Sequence, residues 1–199
     1  MFTGIIETVG EVTNVEQEAG NLYFTITSSI SPQLRIDQSV AHEGICMTVT
    51  RIVESTHQVC AIAETISKTT CGLWQQGKKI NLERCLSLNA RLDGHIVQGH
   101  VDTRGLCIRR TEGTGSVEFE IEFPPAFAAL VIEKGSICVN GISLTCHSLS
   151  AHSFCISIIP YTLQHTSISE LEPGHEVNLE FDLIGKYLMR RKQLEEGQA

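Results

Sequence analysis

Apolar and polar residues alternate along most of this chain. In Leu22–Ser28 (LYFTITS), Ser116–Phe123 (SVEFEIEF) and His175–Phe181 (HEVNLEF) the period is two, and β-branched and aromatic residues are common. That period sends successive side chains to opposite faces of a strand. Polar stretches with glycine separate the runs: EAGN at 18–21, QQGKK at 75–79, EGTGS at 112–116 and EPGHE at 172–176. These read as turns between short strands. Helical periodicity is scarce before residue 160. The tail is the exception: Ile184, Tyr187, Leu188 and Leu194 form a partial stripe at helical spacing, with Arg190, Arg191 and Lys192 on other faces. Many short strands predict a small closed barrel or a sandwich, since closure leaves no exposed edge. A short helix after a finished barrel has little to pack on, so its partner is its own barrel or another subunit.

The pattern is written twice. Displaced by 97 positions, Ser39, Val40, Gly44, Ile45 and Thr48 fall on Ser136, Ile137, Gly141, Ile142 and Thr145. Thr65 and Thr69 fall on Thr162 and Thr166, Gly77 on Gly174, and Asn81–Glu83 (NLE) on Asn178–Glu180 (NLE). Displaced by 95, Gly4–Gly10 falls on Gly99–Gly105. The chain is therefore two copies of one module, with a join around Arg84–Gln98 and a tail. Within the repeat one reactive atom changes: GICMTVT (Gly44–Thr50) becomes GISLTCH (Gly141–His147), so that Ser143 stands where Cys46 stood.

Composition narrows the function. The 199 residues are 42% hydrophobic with a net charge of −8, and the isoelectric point is about 5.5. Nucleic acid and anionic membrane surfaces demand a basic face, so neither is expected as a partner. No run approaches the roughly 18 apolar residues of a membrane span. The opening MFTGIIETVG lacks a basic leader region and meets Glu7 early, unlike a signal peptide. A cytoplasmic protein is expected. None of the eight cysteines forms a CxxC pair, and several sit inside apolar runs, where cysteine acts as a small hydrophobe.

Familiar chemistry is missing: there is no HExxH, GxGxxG before a helix, GxxxxGK[ST] or GxSxG. His95 and His100 are five apart, which on an extended strand puts them on opposite faces, so one metal ion is not expected to take both. What remains is a duplicated set of polar residues on otherwise apolar strands: Ser39, Cys46 and Thr48 in the first module, Ser143 and Thr145 in the second, with His100 opening the second. Any one of them alone is explained by a backbone hydrogen bond. The repeated set points to a lined pocket.

These residues carry a resemblance. MFTGIIE, GICMTVT, AETISKTT, GHIVQGHVD, KGSICVNGISLTC and IIPYTLQHTS, running from Met1 to about Phe181, resemble the riboflavin synthase family. The resemblance implies an all-β chain of two similar tandem six-stranded β-barrels followed by a C-terminal α-helix, assembled as a homotrimer. The implied division is an N-terminal lumazine-binding barrel at 1–84, a linker at 85–98, a C-terminal lumazine-binding barrel at 99–182, and a trimerising helix and tail at 183–199. The implied reaction takes two molecules of 6,7-dimethyl-8-ribityllumazine per active site and yields riboflavin and 5-amino-6-(ribitylamino)uracil, with no metal or organic cofactor. The two halves of one active site come from neighbouring subunits in that family. Docking into a lumazine synthase assembly is left open. The alternative is a non-catalytic lumazine- or flavin-binding protein of the same fold.

The resemblance also implies the site. Cys46, Ser39, His100, Ser143 and Thr145 are the expected catalytic set, with Cys46 as the thiol and His100, by residue type, as the proton carrier. Expected ligand contacts are Phe2, Gly4, Ile5 and Ile6; Cys46, Met47 and Thr48; Cys60, Ala61, Ile62, Ala63, Glu64 and Thr65; Gly99, His100 and Val101; Lys134; Ser143, Leu144 and Thr145; and Ile158, Ile159, Pro160, Tyr161, Thr162 and Leu163. Two positions depart from the family pattern. Asn140 stands where an Asp is frequent, and Tyr161 stands opposite Glu64 in the repeat.

Overall fold

The computed structural model describes residues 1–197; the last two positions of the expected tail, 198 and 199, lie outside the described residues. The first half forms β1 (Thr8–Glu18), β2 (Asn21–Thr27), β3 (Ser39–His42), β4 (Ile45–Val53), β5 (Thr56–Ala61) and β6 (Lys79–Arg84), with helix α1 (Ala63–Lys68) before β6. The second forms β7 (Thr103–Glu112), β8 (Val117–Glu122), β9 (Ser136–Val139), β10 (Ile142–His147), β11 (Ser153–Ile158) and β12 (Glu176–Phe181), with α2 (Pro160–His165) in the matching place and α3 (Leu183–Glu196) after it. Each set closes into a barrel, β1-β2-β5-β4-β3-β6 and β7-β8-β11-β10-β9-β12. The two circuits are the same, so the expected pair of six-stranded barrels is what the chain adopts.

Alternation does the sorting. In β4, Ile45, Met47 and Val49 point into the barrel while Cys46 and Thr48 point out. In β11, Phe154, Ile156 and Ile158 join the second core. Both barrels bulge at the same place, at Thr13 in β1 and Ile108 in β7.

Only the six-residue α1 is an α-helix before residue 160, in keeping with the scarce helical periodicity there, and α2 repeats it in the second module. At six residues each they are too short to show a period. Both stop on a threonine: Thr69 Oγ1 donates to Thr65 O and Thr166 Oγ1 to Thr162 O, each at 2.7 Å. That accounts for the repeated threonines. The tail helix forms as expected, capped by Asp182. It rests Gly185 near Leu130 and packs Met189 on the second core, while Ile184, Tyr187, Leu188 and Leu194 remain exposed. No helix among the described residues is long and apolar enough to cross a membrane.

The barrels meet tip to tip. Turns Glu43-Gly44 and Asn140-Gly141 each carry two positive φ angles (50° and 78°, 49° and 83°), as two-residue hairpin turns require. The tips touch so closely that a Cβ on Gly44 would lie 2.7 Å from Gly141 N. The repeated NLE asparagines stitch the joint: Asn81 Nδ2 donates to Asn140 O and Asn178 Nδ2 to Glu43 O, both at 2.9 Å. Their Oδ1 atoms accept from Ser167 N and Thr70 N at 2.7 and 2.8 Å.

Candidate active site: two crossed faces

The repeated glutamates of NLE organise the site. Glu83 accepts from Thr3 N, Thr3 Oγ1 and Gly4 N at 2.6, 2.7 and 2.9 Å. Glu180 accepts from Gln98 N, Gly99 N and His100 N at 2.7, 2.9 and 2.8 Å. Each carboxylate thus holds a short extended strap that runs up to its barrel. Burial pushes both carboxyls up, and the strap N–H groups pull them back.

The straps cross. Gly4 O accepts from Ser143 N and Gly99 O from Cys46 N, both at 2.8 Å. Ile6 packs on the second core and Val101 on the first. The strap clamped by one barrel therefore lies on the strand of the other. Glycine is needed at both crossings: a Cβ at Gly4 would sit 2.6 Å from Ser143 Cβ, and one at Gly99 2.6 Å from Cys46 Cβ.

The expected residues divide into two faces. The first holds Ser39 and Thr48, paired across β3 and β4, with Cys46, the Cys60–Thr65 corner, Gly99, His100 and Val101. The second holds Ser143 and Thr145 on β10, Lys134, the Ile158–Leu163 corner, Gly4, Ile5 and Ile6; here Thr145 pairs with Ser136 as Thr48 pairs with Ser39. Phe2, bridged to Val97, lies buried between the faces with Ala41 and Cys138. Four expected contacts need correction at the side-chain level. Met47, Ala61 and Ile158 are buried in cores because period two turns them inward, and Phe2, on the irregular segment ahead of β1, is buried against Val97, Ala41 and Cys138.

The heads of the faces differ. Burial pushes the Cys46 thiol up, and the neighbouring Ser39 side chain offsets part of that, so it stands as a thiol at neutral pH. Ser143 Oγ lies 2.6 Å from His95 Nδ1. His95 is a functional candidate absent from the expected set: in the sequence it raises only the question of a metal shared with His100, and it sits on an irregular segment, not a strand. Burial lowers its pKa, which keeps the ring neutral. Its Nε2 is the one buried side-chain polar atom without a partner among the described residues. The signal available in the sequence was Gly94 beside it, since a Cβ there would sit 3.0 Å from Ser143 Oγ.

The corners differ too. On α1, Glu64 pairs with Lys68 at 2.8 Å. At the same register on α2, Tyr161 stacks on His165, centroids 4.1 Å apart. A cavity of about 560 Å³ lies elsewhere, between the barrels, and none of the expected residues lines it.

Comparison with known proteins agrees with this geometry. A family described as the lumazine binding domain matches residues 3–85 and again 98–182. The chain is 37% identical to riboflavin synthase of Bacillus subtilis, over 96% of this chain and 89% of that one. It is 39% identical to riboflavin synthase of Mycobacterium tuberculosis, over 96% and 97%. Among solved structures, LumP complexed with riboflavin superposes with a TM-score of 0.84 at 22% identity, covering 91% of this chain and 99% of that one. LumP complexed with 6,7-dimethyl-8-(1'-D-ribityl) lumazine gives 0.82, again at 22% identity, covering 90% and 98%. At that identity the likeness is one of fold.

Proposed function

The chain belongs to the riboflavin synthase family, and on that premise we propose that it converts two molecules of 6,7-dimethyl-8-ribityllumazine into riboflavin and 5-amino-6-(ribitylamino)uracil. One molecule gives up a four-carbon unit and the other gains it, so carbon and electrons balance without an outside oxidant. The observation that carries this reading is the crossed pair of faces, alike in backbone but headed by Cys46 on one and Ser143 on the other. Two copies of one substrate need two related seats, and opposite roles need two different heads.

The chemistry assigns the groups. The C7 methyl of a lumazine is acidic because its carbanion delocalises into the ring, and C7 of the other molecule is electrophilic. Holding the two planar rings face to face supplies a large part of the rate. On the second face, the neutral His95 takes the Ser143 hydroxyl proton as that oxygen adds to C7. On the first, His100 on its clamped strap moves the methyl proton beside the Cys46 thiol, with Ser39 and Thr48 orienting the ring. The straps contribute backbone groups that set each ring against its strand. The two faces that cooperate belong to neighbouring subunits of a cytoplasmic trimer, and the exposed Ile184, Tyr187 and Leu188 of α3 form the apolar seam.

The test is incubation of the purified protein with the lumazine and a chelator, with no cofactor added. One riboflavin should appear for every two lumazines consumed. Saturable binding without riboflavin would overturn the catalytic reading and leave a ligand-holding protein.

A further inference from the structure

The cavity between the barrels has a built floor that the proposed reaction does not use. Its walls include Trp74, Leu106 and Leu171, and its volume of about 560 Å³ lies in the range of small-molecule sites, which favour domain interfaces. Glu43 lines it while only 2% exposed. Glu43 Oε1 accepts both from Asn81 N at 2.7 Å and from Ser167 Oγ at 2.6 Å. Its Oε2 takes no hydrogen bond among the described residues. Among the described residues His95 Nε2 is the fully buried side-chain polar atom without a partner, so Glu43 Oε2 is open to the cavity and is an acceptor available to a donor there.

Asn140, at the matching turn position of the second module, also lines the cavity. Its Oδ1 accepts from Asn178 N at 2.7 Å, which orients the amide and leaves Nδ2 as a donor without a partner among the described residues. At a two-fold joint, identical residues would offer two acceptors or two donors. Glu43 and Asn140 offer one of each, side by side on the touching turns.

We propose that this cavity is a ligand site separate from the two crossed faces, for a planar heterocycle with a lactam edge, its ring N–H donating to Glu43 Oε2 and its carbonyl accepting from Asn140 Nδ2. The ring body lies against Trp74, Leu106 and Leu171, where flat apolar surface is buried on binding.

Trp74 is the only tryptophan in the chain, so its fluorescence reports this cavity directly. The experiment titrates the full-length protein with hypoxanthine, whose lactam edge is free, and with 1-methylhypoxanthine, whose lactam nitrogen is blocked. Hypoxanthine should change the Trp74 emission saturably, and the methylated ring should bind at least about tenfold more weakly. Glu43→Gln keeps Oε1 and its two bonds but turns Oε2 into a donor, so it should fold, turn over lumazine as the parent does, and lose hypoxanthine by a similar factor. Asn140→Asp removes the donor while keeping the bond from Asn178 N, and should do the same. A double variant at Cys46 and Ser143 should leave the response intact. No saturable change, equal binding of the methylated ring, an unaltered response in both Glu43→Gln and Asn140→Asp, or loss of the response in the Cys46 and Ser143 variant would overturn the site.

Discussion

Glu180 Oε2 accepts the backbone N–H of His100 at 2.8 Å, and so a carboxylate of the second barrel holds the Gly99-His100 strap whose Gly99 O bonds Cys46 N of the first. Glu83 does the same for Thr3 and Gly4 against Ser143. Replacing either carboxylate by an amide turns one acceptor oxygen into a donor that faces strap N–H groups. Glu180→Gln should cost about 2–3 kcal/mol of strap placement and lower lumazine turnover about ten- to a hundredfold. At about 2–4 °C per kcal/mol for a chain of this size, Tm should fall by no more than about 12 °C. Steady-state kinetics beside a thermal scan would check it; turnover at the parent level would refute the strap as a positioning device.

Cys46→Ser makes the two heads alike. If difference between the faces drives the exchange, lumazine binding should stay within about threefold while kcat falls at least about tenfold. A variant with unchanged kcat would mean that the thiol only fills space.

Ser143→Ala leaves His95 Nδ1 as well as Nε2 without a partner, at a cost of about 1–3 kcal/mol, and should lower kcat about a hundredfold. Because burial lowers the His95 pKa, the neutral base persists below the usual histidine value of 6.5. The acid limb of the parent's kcat/KM should therefore lie below pH 6.5. A limb at or above that value would assign the base elsewhere.

The first barrel hides a proton chain with no counterpart in the second. His42 Nδ1 donates to Val40 O at 3.0 Å, His42 Nε2 accepts from His57 Nε2 at 2.9 Å, and His57 Nδ1 accepts from Ser31 Oγ at 2.8 Å. Both rings are neutral in this arrangement. Burial, with His57 adding to it, lowers His42 well below 6.5, and burial lowers His57 to about 4. Since the folded values are depressed, the stability they carry is complete above pH 6.5 and is lost as pH falls toward 4, on the order of 3 kcal/mol for His57. Glu43 works the other way: burial raises it to about 7, so its share is lost as pH rises from about 4.5 to 7. The second barrel has Val139 and Phe154 in the places of His42 and His57. The double variant His42→Val, His57→Phe should therefore gain stability relative to the parent at pH 4.5 compared with pH 8, in chemical denaturation; parallel profiles would refute the buried pair as the acid-sensitive element.

Gly141→Ala combines a positive φ with a Cβ 2.8 Å from Gly44 N. It should cost about 3–4 kcal/mol and lower Tm by about 10 °C. Gly20→Ala shares the positive φ but has open space around it, so only the backbone term of about 1–2 kcal/mol remains. Equal losses would show that the turns do not bear on one another.

Much of this was legible in the sequence because alternation and turn chemistry are local. Period two alone separates Cys46 and Thr48 from Met47, and the displaced repeat alone makes Ser143 the counterpart of Cys46. What stayed hidden was mostly the work of residues far apart in the chain. In GHIVQGH only Gly94 hints at a close approach, and it does not name Ser143 as the partner of His95, because the contact spans 48 positions. The NLE glutamates were visible as a repeat but not as clamps, and Glu43 opposite Asn140 was visible as two turn residues but not as the floor of a cavity. The sequence by itself determined two modules, their strands and which side chains face out. Only the tertiary structure decided that the straps cross, since that depends on which barrel's strand lies within hydrogen-bond reach once the two turns meet.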